Sequence, residues 1–562
     1  MSVQEFERLP VAPEKLESAK YFAASYAGEH VAGTEFVIGA MFVAWGIGTQ
    51  DILFGLLIGN LLAVLTWGLV CAPIAVDTRL TLYAYLEKMA GPKMVKIFSV
   101  VNGVLFCVLA GAMITVSASA VRILFDLEPQ VNWYPTSMGF VAVALVVGAI
   151  VVWIAAKGFK GVAQFAEVSS PWMILMFFVG AFAVIPSLVA ATPGLDGLTF
   201  VQQFYLLADT HVWKDTGSEL GMWHVAAFSW VCNLAMHGGM ADMTILRFAK
   251  KARYGYFSGL GMFIGHFLAW ICAGFMGAAA ALLLKVSVTS LDAGAVAYQV
   301  LGVAGIIAVI IAGWTTSNPT IYRAGLAFQS IQPKWNRTRV TIVTGVVTTI
   351  IACFPFVFTK LMDFVSLMGL VMSPVGAIIF AEHWLLPKLG MVRYWSRYKK
   401  QLMNKAALTA WFGSLLIAYL LFASGMHIFF LAIPTWFVAA ALYIGLSSVM
   451  GARQNYGAEA QTEQEQEEQR QKAERLYLQQ ENRVQQQSGK SDESIIQGVC
   501  NKLTLLSLLA CLVLSLLAAF NRMSLADFQQ WLMLPTIVYF VVAVLSVLEK
   551  RRTDQLIAQK GE

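Results

Sequence analysis

The sequence predicts an all-α polytopic membrane protein, with a core of about twelve transmembrane helices followed by two more. Three observations carry that prediction. The chain has 562 residues, of which 58% are hydrophobic and only 13% charged, more apolar surface than one soluble core can enclose. The apolar residues fall in blocks long enough for helical spans of about 20 residues. The loops between the blocks alternate in Lys and Arg content, the pattern expected when basic loops stay on the cytoplasmic side.

Taken in order, Met1 to Lys20 is polar and charged, with no short apolar core and no small-residue cleavage site. Residues 1–34 therefore read as a retained cytoplasmic segment. Spans are expected near 35–51, 52–75, 97–121, 137–156 and 162–190, which make up a first group of five over 35–190. A second group over 222–386 has spans near 222–246, 257–285, 297–329, 340–358 and 361–386. Two more cross near 406–424 and 427–449, within 406–449. The loops expected inside carry Arg79, Lys88, Lys93 and Lys96, then Lys157 and Lys160, then Arg247, Lys250, Lys251 and Arg253, then Lys334, Arg337 and Arg339, then Lys388, Arg393, Arg397, Lys399 and Lys400. The intervening loops are poor in Lys and Arg and hold Asp126, Glu128, Asp196, Asp209, Asp215 and Glu219.

From 450 to 498 the composition turns to Glu, Gln, Arg and Lys. The run EQEQEEQRQKAERLYLQQENRVQQQ is rich in helix formers and free of Gly and Pro, which predicts a cytoplasmic, solvated linker helix. Its apolar positions are too few for a coiled coil. Two further spans follow near 500–520 and 530–548, within 499–548. Lys550, Arg551 and Arg552 then place the tail 549–562 inside, so the chain is expected in an inner or plasma membrane with both termini cytoplasmic.

The seven cysteines are scattered singly and nearly all lie in apolar blocks, as small buried hydrophobes do. The net charge of +6 comes from loops between spans, so topology accounts for it and nucleic acid is not an expected partner. The expected partners are the bilayer and a small-molecule solute.

Two segments break the rule that a spanning helix is uniformly apolar. One runs from Gly33 to Asp51, with glycines at 39, 46 and 48; the other, NLAMHGGMADMTILRF, runs from Asn233 to Phe248. Backbone groups freed by an interrupted helix persist in a membrane only where they line a protein-walled cavity. The breaks fall in spans one and six, corresponding places in two groups of five, the signature of an inverted repeat with a midplane site. Any one glycine alone reads as close helix packing; it is the two coordinated breaks that point to a cavity. Asp51 reads as a helix cap, Asp242 as a cap or a coupling group, and His237 as a ligand, a proton carrier or a structural hydrogen-bonding group. In span eight, Trp314, Thr315, Thr316, Ser317, Asn318 and Thr320 form a third polar cluster. Adjacent hydroxyls there can bond back to the preceding turn or serve as hard oxygen ligands to a small cation such as sodium. Glu167, in span five beside Ser169, Ser170 and Pro171, is either an intramembrane coupling carboxylate or a wetted residue at the cytoplasmic end.

Other classes fit less well. A channel needs a continuous polar pore or rings of selectivity residues. A membrane enzyme needs a reactive cluster, and the sequence has no His/Glu metal spacing, nucleophile elbow or phosphate-binding loop with its lysine. A transporter-derived sensor using the linker and the last two spans is the remaining rival.

Several segments resemble the nucleobase:cation symporter-1 family, which includes cytosine permease and a bacterial hydantoin transporter. They are LLIGNLL from Leu56 to Leu62, the HGG and RF elements of span six, WTT followed by Tyr322, Gly325 and Leu326, and LMGLVMSPVGAIIFAEHWL in span ten. The resemblance covers about the first 450 residues and leaves out the linker and last spans. It implies a leucine-transporter-like fold, with spans one to five and six to ten as inverted repeats, and sodium- or proton-coupled uptake without any other cofactor. It further implies that Thr315 and Thr316 are ion ligands, facing carbonyls near Gly39 and Phe42. The substrate positions depart from the family pattern. Where ring-binding members have aromatics and amides, this chain has Leu234, Ala235, Met236 and His237 in span six, Ala312 in span eight, and Asn102 and Phe106 in span three. Losing a stacking face and a buried amide removes roughly 2 to 4 kcal/mol of ring recognition. The expected cavity residues are Asn102, Phe106, Asn233 and His237, with Trp45 as wall or gate and Asn318 as a polar neighbour.

Overall fold

The computed structural model describes residues 8–157, 159–332, 334–487 and 494–560. Regular structure among them is helical, apart from one isolated parallel bridge between Glu17 and Ala249. This follows from the solvent, because lipid satisfies no backbone group and a helix satisfies its own. Among the described residues, eleven helices are long and apolar enough to cross a bilayer. The expected spans at 35–51 and 222–246 are instead built from shorter pieces, and that at 340–358 is a single shorter helix of 16 residues.

The first span is two helices, α1 (Ala19–His30) and α2 (Thr34–Val43). α3 (Thr49–Thr66) continues through a π-helical turn, Trp67–Cys71, to Thr78. After the short α4 (Leu82–Ala90) come α5 (Pro92–Val121), α6 (Met138–Ala156) and α7 (Phe159–Ala190). The second half opens with another interrupted span: α8 (Met222–Val231), α9 (Leu234–His237) and α10 (Met243–Leu246). A π-helical stretch, Gly261–Ala269, leads into α11 (Trp270–Leu284). Then follow α12 (Ala293–Leu301), α13 (Val303–Ile331), α14 (Arg337–Ala352) and α15 (Val357–Phe380). α16 (Lys405–Ala423) and α17 (Ala432–Ser447) complete the core. The chain ends with α18 (Gly457–Gln487), α19 (Ile495–Ala519) and α20 (Leu525–Lys560).

The interruption of the first span lies at Val31–Ala32–Gly33, ahead of the 39–48 region where the glycines suggested it. α1 is therefore part of the bundle, packed on α7 and on the Gly261–Ala269 stretch. Gly39 is helical: a Cβ there would lie 2.6 Å from the Trp270 carbonyl oxygen, so it lets α2 and α11 approach closely. Gly46 has φ +68° and makes the turn into α3. Asp51 caps nothing; it lies in the first turn of α3, where the helix dipole favours an acid.

α2 lies chiefly against α11 and α8 against α3, while α13 runs along α5, and α14 packs on α5 and α6. The appended pair α19 and α20 pack on each other and on α7. Trp172 Nε1 donates to Thr536 Oγ1 at 3.2 Å, and the Tyr539 hydroxyl donates to the Val168 carbonyl at 2.9 Å.

Candidate functional site

The interruptions in the first and sixth spans meet the polar stretch of α13. Thr316 Oγ1 lies 3.0 Å from the Glu29 carbonyl oxygen and 3.3 Å from that of Ala312, and Thr315 Oγ1 lies 3.0 Å from the Ala312 oxygen. In each pair the hydroxyl donates to the carbonyl, so both threonines bond back along α13 and Thr316 also ties α13 to the end of α1; these uncharged oxygens are of the type a small hard cation takes. The carbonyl facing the hydroxyls is that of Glu29, not those of Gly39 or Phe42. Both of those residues belong to α2; the Phe42 oxygen accepts from Trp45 N at 3.3 Å, and the Phe42 ring packs with Trp45, Phe228 and Trp270.

Beside these oxygens lies a buried ionic triad. Arg323 of α13 holds both carboxylate oxygens of Glu29, and its Nη2 lies 2.8 Å from Asp242 Oδ1. The other oxygen of Asp242 accepts from Trp67 Nε1 at 2.7 Å and from the Tyr26 hydroxyl at 3.1 Å. The π-helical turn at Trp67–Cys71 supplies that indole. Glu29 is 7%, Asp242 0% and Arg323 2% exposed, so the charges are compensated by one another and by hydrogen bonds rather than by water.

A second cluster lies around Glu35, in the first turn of α2. Its carboxylate accepts from Trp270 Nε1 and sits 3.6 Å from His266 Nε2. His266 comes from the second π-helical segment and stacks on Trp270, with ring centroids 4.4 Å apart. Asn233, between α8 and α9, places its amide 3.2 Å from His266 Nδ1 and 3.4 Å from His30 Nδ1. His237 donates through Nε2 to the Trp230 carbonyl at 3.2 Å and packs on Trp67 at 4.6 Å; its Nδ1 has no hydrogen-bond partner among the described residues.

Of the residues singled out from the sequence, Asn233, His237, Asp242, Thr315 and Thr316 come together at the interruptions. The others do not join them. Asn102 donates to the Tyr83 hydroxyl at 2.7 Å, and Phe106 is fully buried in the hydrophobic core. Asn318 bonds back to the Trp314 carbonyl at 2.9 Å. Trp45 belongs to an aromatic cluster with Phe42, Phe228 and Phe429. Glu167 is half-exposed, 3.5 Å from Lys550 Nζ, so it is a wetted end residue and not a coupling carboxylate in the cavity. The sequence reading passed over Tyr26, Glu29, His30, Glu35, Trp67, His266 and Arg323. Arg323 carried a usable signal, because an arginine inside an apolar span demands buried acidic partners.

Fold and site define a class: a helical membrane bundle of two five-span halves, each headed by an interrupted helix, with ionic and hydroxyl groups gathered where the interruptions meet. Particular solved structures share it. A structure described as Mhp1, a nucleobase-cation-symport-1 family transporter, in a closed conformation with bromovinylhydantoin bound, is 14% identical, with a TM-score of 0.63 over 82% of this chain and 98% of that one. The inward-facing conformation of Mhp1 is 13% identical, with a TM-score of 0.61 over 82% and 96% of the two chains. A substrate-bound, outward-open Na+-coupled sialic acid symporter is 11% identical, with a TM-score of 0.55 over 76% and 90%. No protein-family model and no curated protein sequence matches the chain. At these identities the likeness is one of fold, and the fold is leucine-transporter-like.

Proposed function

We propose that this chain is a secondary active transporter that carries a small polar solute across an inner or plasma membrane together with a cation, sodium being favoured. The observation that carries the reading is the convergence of the Glu29 and Ala312 carbonyl oxygens with the Thr315 and Thr316 hydroxyls at the interruption of the first span. An ion there ties α1 to α13 and pre-orders the adjacent cavity, so that ion and solute stabilise one closed state. That the fold is shared with cation-coupled symporters supports the reading. The resemblance in span motifs favours a nucleobase or related heterocycle as solute, recognised here by Glu35, Asn233, His30 and His266 in place of the family's aromatic and amide pairs. Both termini are assigned to the cytoplasm from the basic loops.

The test is thermal stability of the purified protein against nucleobases, hydantoins, amino acids, vitamins and small amines, each in sodium and in potassium. A ligand at about 100 times its dissociation constant stabilises the native state by about 2.7 kcal/mol. The expected outcome is one compound that stabilises only with sodium, a dependence that Thr316→Ala abolishes. Sodium indifference throughout would sink the assignment of the hydroxyl pair.

A second reading, proton coupling, rests on the Glu35–His266 contact. It predicts solute binding that is indifferent to sodium, varies with pH, and loses that variation in Glu35→Gln.

A further inference from the structure

The helix α18 is not the solvated linker its composition suggests. Residues 460, 463, 467, 470, 471, 474, 478 and 481 are shielded, while the other described side chains from 458 to 483 are exposed. That spacing is one stripe along a helix, and four of its eight residues are glutamates.

It faces a basic surface assembled from distant parts of the chain. Glu463 lies 2.7 Å from Lys88 Nζ and 2.9 Å from Arg397, and accepts from the Tyr398 hydroxyl at 2.9 Å. Glu467 lies 2.9 Å from Lys88 and 3.7 Å from Arg393. Gln471 donates to Asp77 at 2.7 Å. Glu474 accepts from Arg79 at 3.0 and 2.5 Å, and Glu481 lies 2.5 Å from Lys250. Arg79, fully buried, is the hub, since it also donates to the carbonyls of Arg247 and Ala249 at 2.9 and 2.6 Å, just past α10. The backbone of residues 11 to 17 joins there too, with Val11 N bonding to the Arg79 oxygen and Glu17 N to that of Phe248.

We propose that this basic face is an interaction surface whose partner is the chain's own acidic helix, and that α18 is a cytoplasmic latch. Docked, it holds the inner ends of the second and sixth spans, at Arg79 and Lys250, to the segment before α5 at Lys88 and the segment after α15 at Arg393 and Arg397. These pieces are the inner ends of separate spans, which have to part for an inner pathway to open. The inner pathway therefore opens only when the stripe lets go. Most of the pairs are partly exposed, so added salt weakens them, and the latch loosens as ionic strength rises. The proposal concerns opening and stands whether or not the coupling ion is sodium.

The experiment needs no solute. In full-length protein in lipid nanodiscs, hydrogen exchange of α18 is followed together with alkylation of Cys71 by a maleimide, read by peptide mass spectrometry. Cys71 is fully buried on the second span, its sulfur 3.9 Å from the Met236 carbonyl of the sixth. In the variant E463Q/E467Q/E474Q/E481Q, exchange protection of α18 should fall by about tenfold or more, and Cys71 should react several-fold faster. Raising KCl on the unaltered protein should reproduce both effects, which keeps the test independent of how well the variant folds. E465Q/E468Q, outside the stripe, should change neither. A loosened helix with an unchanged Cys71 rate overturns the latch, leaving a docked linker. So does a helix that stays protected in both the variant and high salt.

Discussion

Arg323 bonds to carboxylates 294 and 81 positions away in sequence, and its planar fork is what lets one cation serve two acids. Arg323→Met leaves Glu29 and Asp242 buried without a counter-charge. The expected loss is about 3–5 kcal/mol of stability, measured by denaturant unfolding in detergent, and Asp242→Asn added to the same chain should recover part of it. Arg323→Lys, a point charge without the fork, should rescue only in part. A loss below about 1 kcal/mol for Arg323→Met would match an exposed pair instead. The triad also marks the limit of what the sequence discloses. Asn233, Thr315 and Thr316 were legible because each stands in a local anomaly of an apolar span. Glu29 and His30 were not, because polar residues just ahead of the first apolar block look cytoplasmic until a buried arginine far along the chain is known to face them.

At the scale of helices, most spans were legible, since apolar length and loop charge set them. The exceptions were the interrupted spans, whose pieces are too short to carry a period. α18 was readable as a helix but not as a docked one, because its stripe is charged and the cations that shield it come from four separate segments. The electrostatics of that stripe give a pH prediction. Burial pushes the Glu467 carboxyl up, but Arg393 and Lys88 outweigh burial and the nearby Asp77, and hold it below the usual carboxylate range. A group lowered on docking contributes fully above its free value, near about 4.3, and loses that contribution as pH falls through the docked value. Exchange protection of α18, corrected for intrinsic rates, should therefore be level between pH 6 and pH 8 and drop only in stronger acid. A drop between pH 8 and 6 would show that some group other than these carboxylates controls docking.

For the whole molecule, the alternation of basic loops predicts that a fluorescent protein fused after Glu562 folds and fluoresces in the cytoplasm. Alkaline phosphatase inserted between residues 131 and 136 should be active outside, and activity for an insertion at residue 400 would invert the assignment. The appended helices α19 and α20 add a buttress to α7 without entering the site. They also anchor the far end of α18, whose near end is held by the apolar span ending at Ala452. The latch is therefore tethered to the membrane at both ends. Undocked, it stays within a few residues' reach of its own basic face, at an effective concentration on the order of millimolar. Rebinding is a unimolecular event, so contacts too weak to hold a separate peptide suffice to close this one, and closure does not depend on how many copies of the protein the membrane holds.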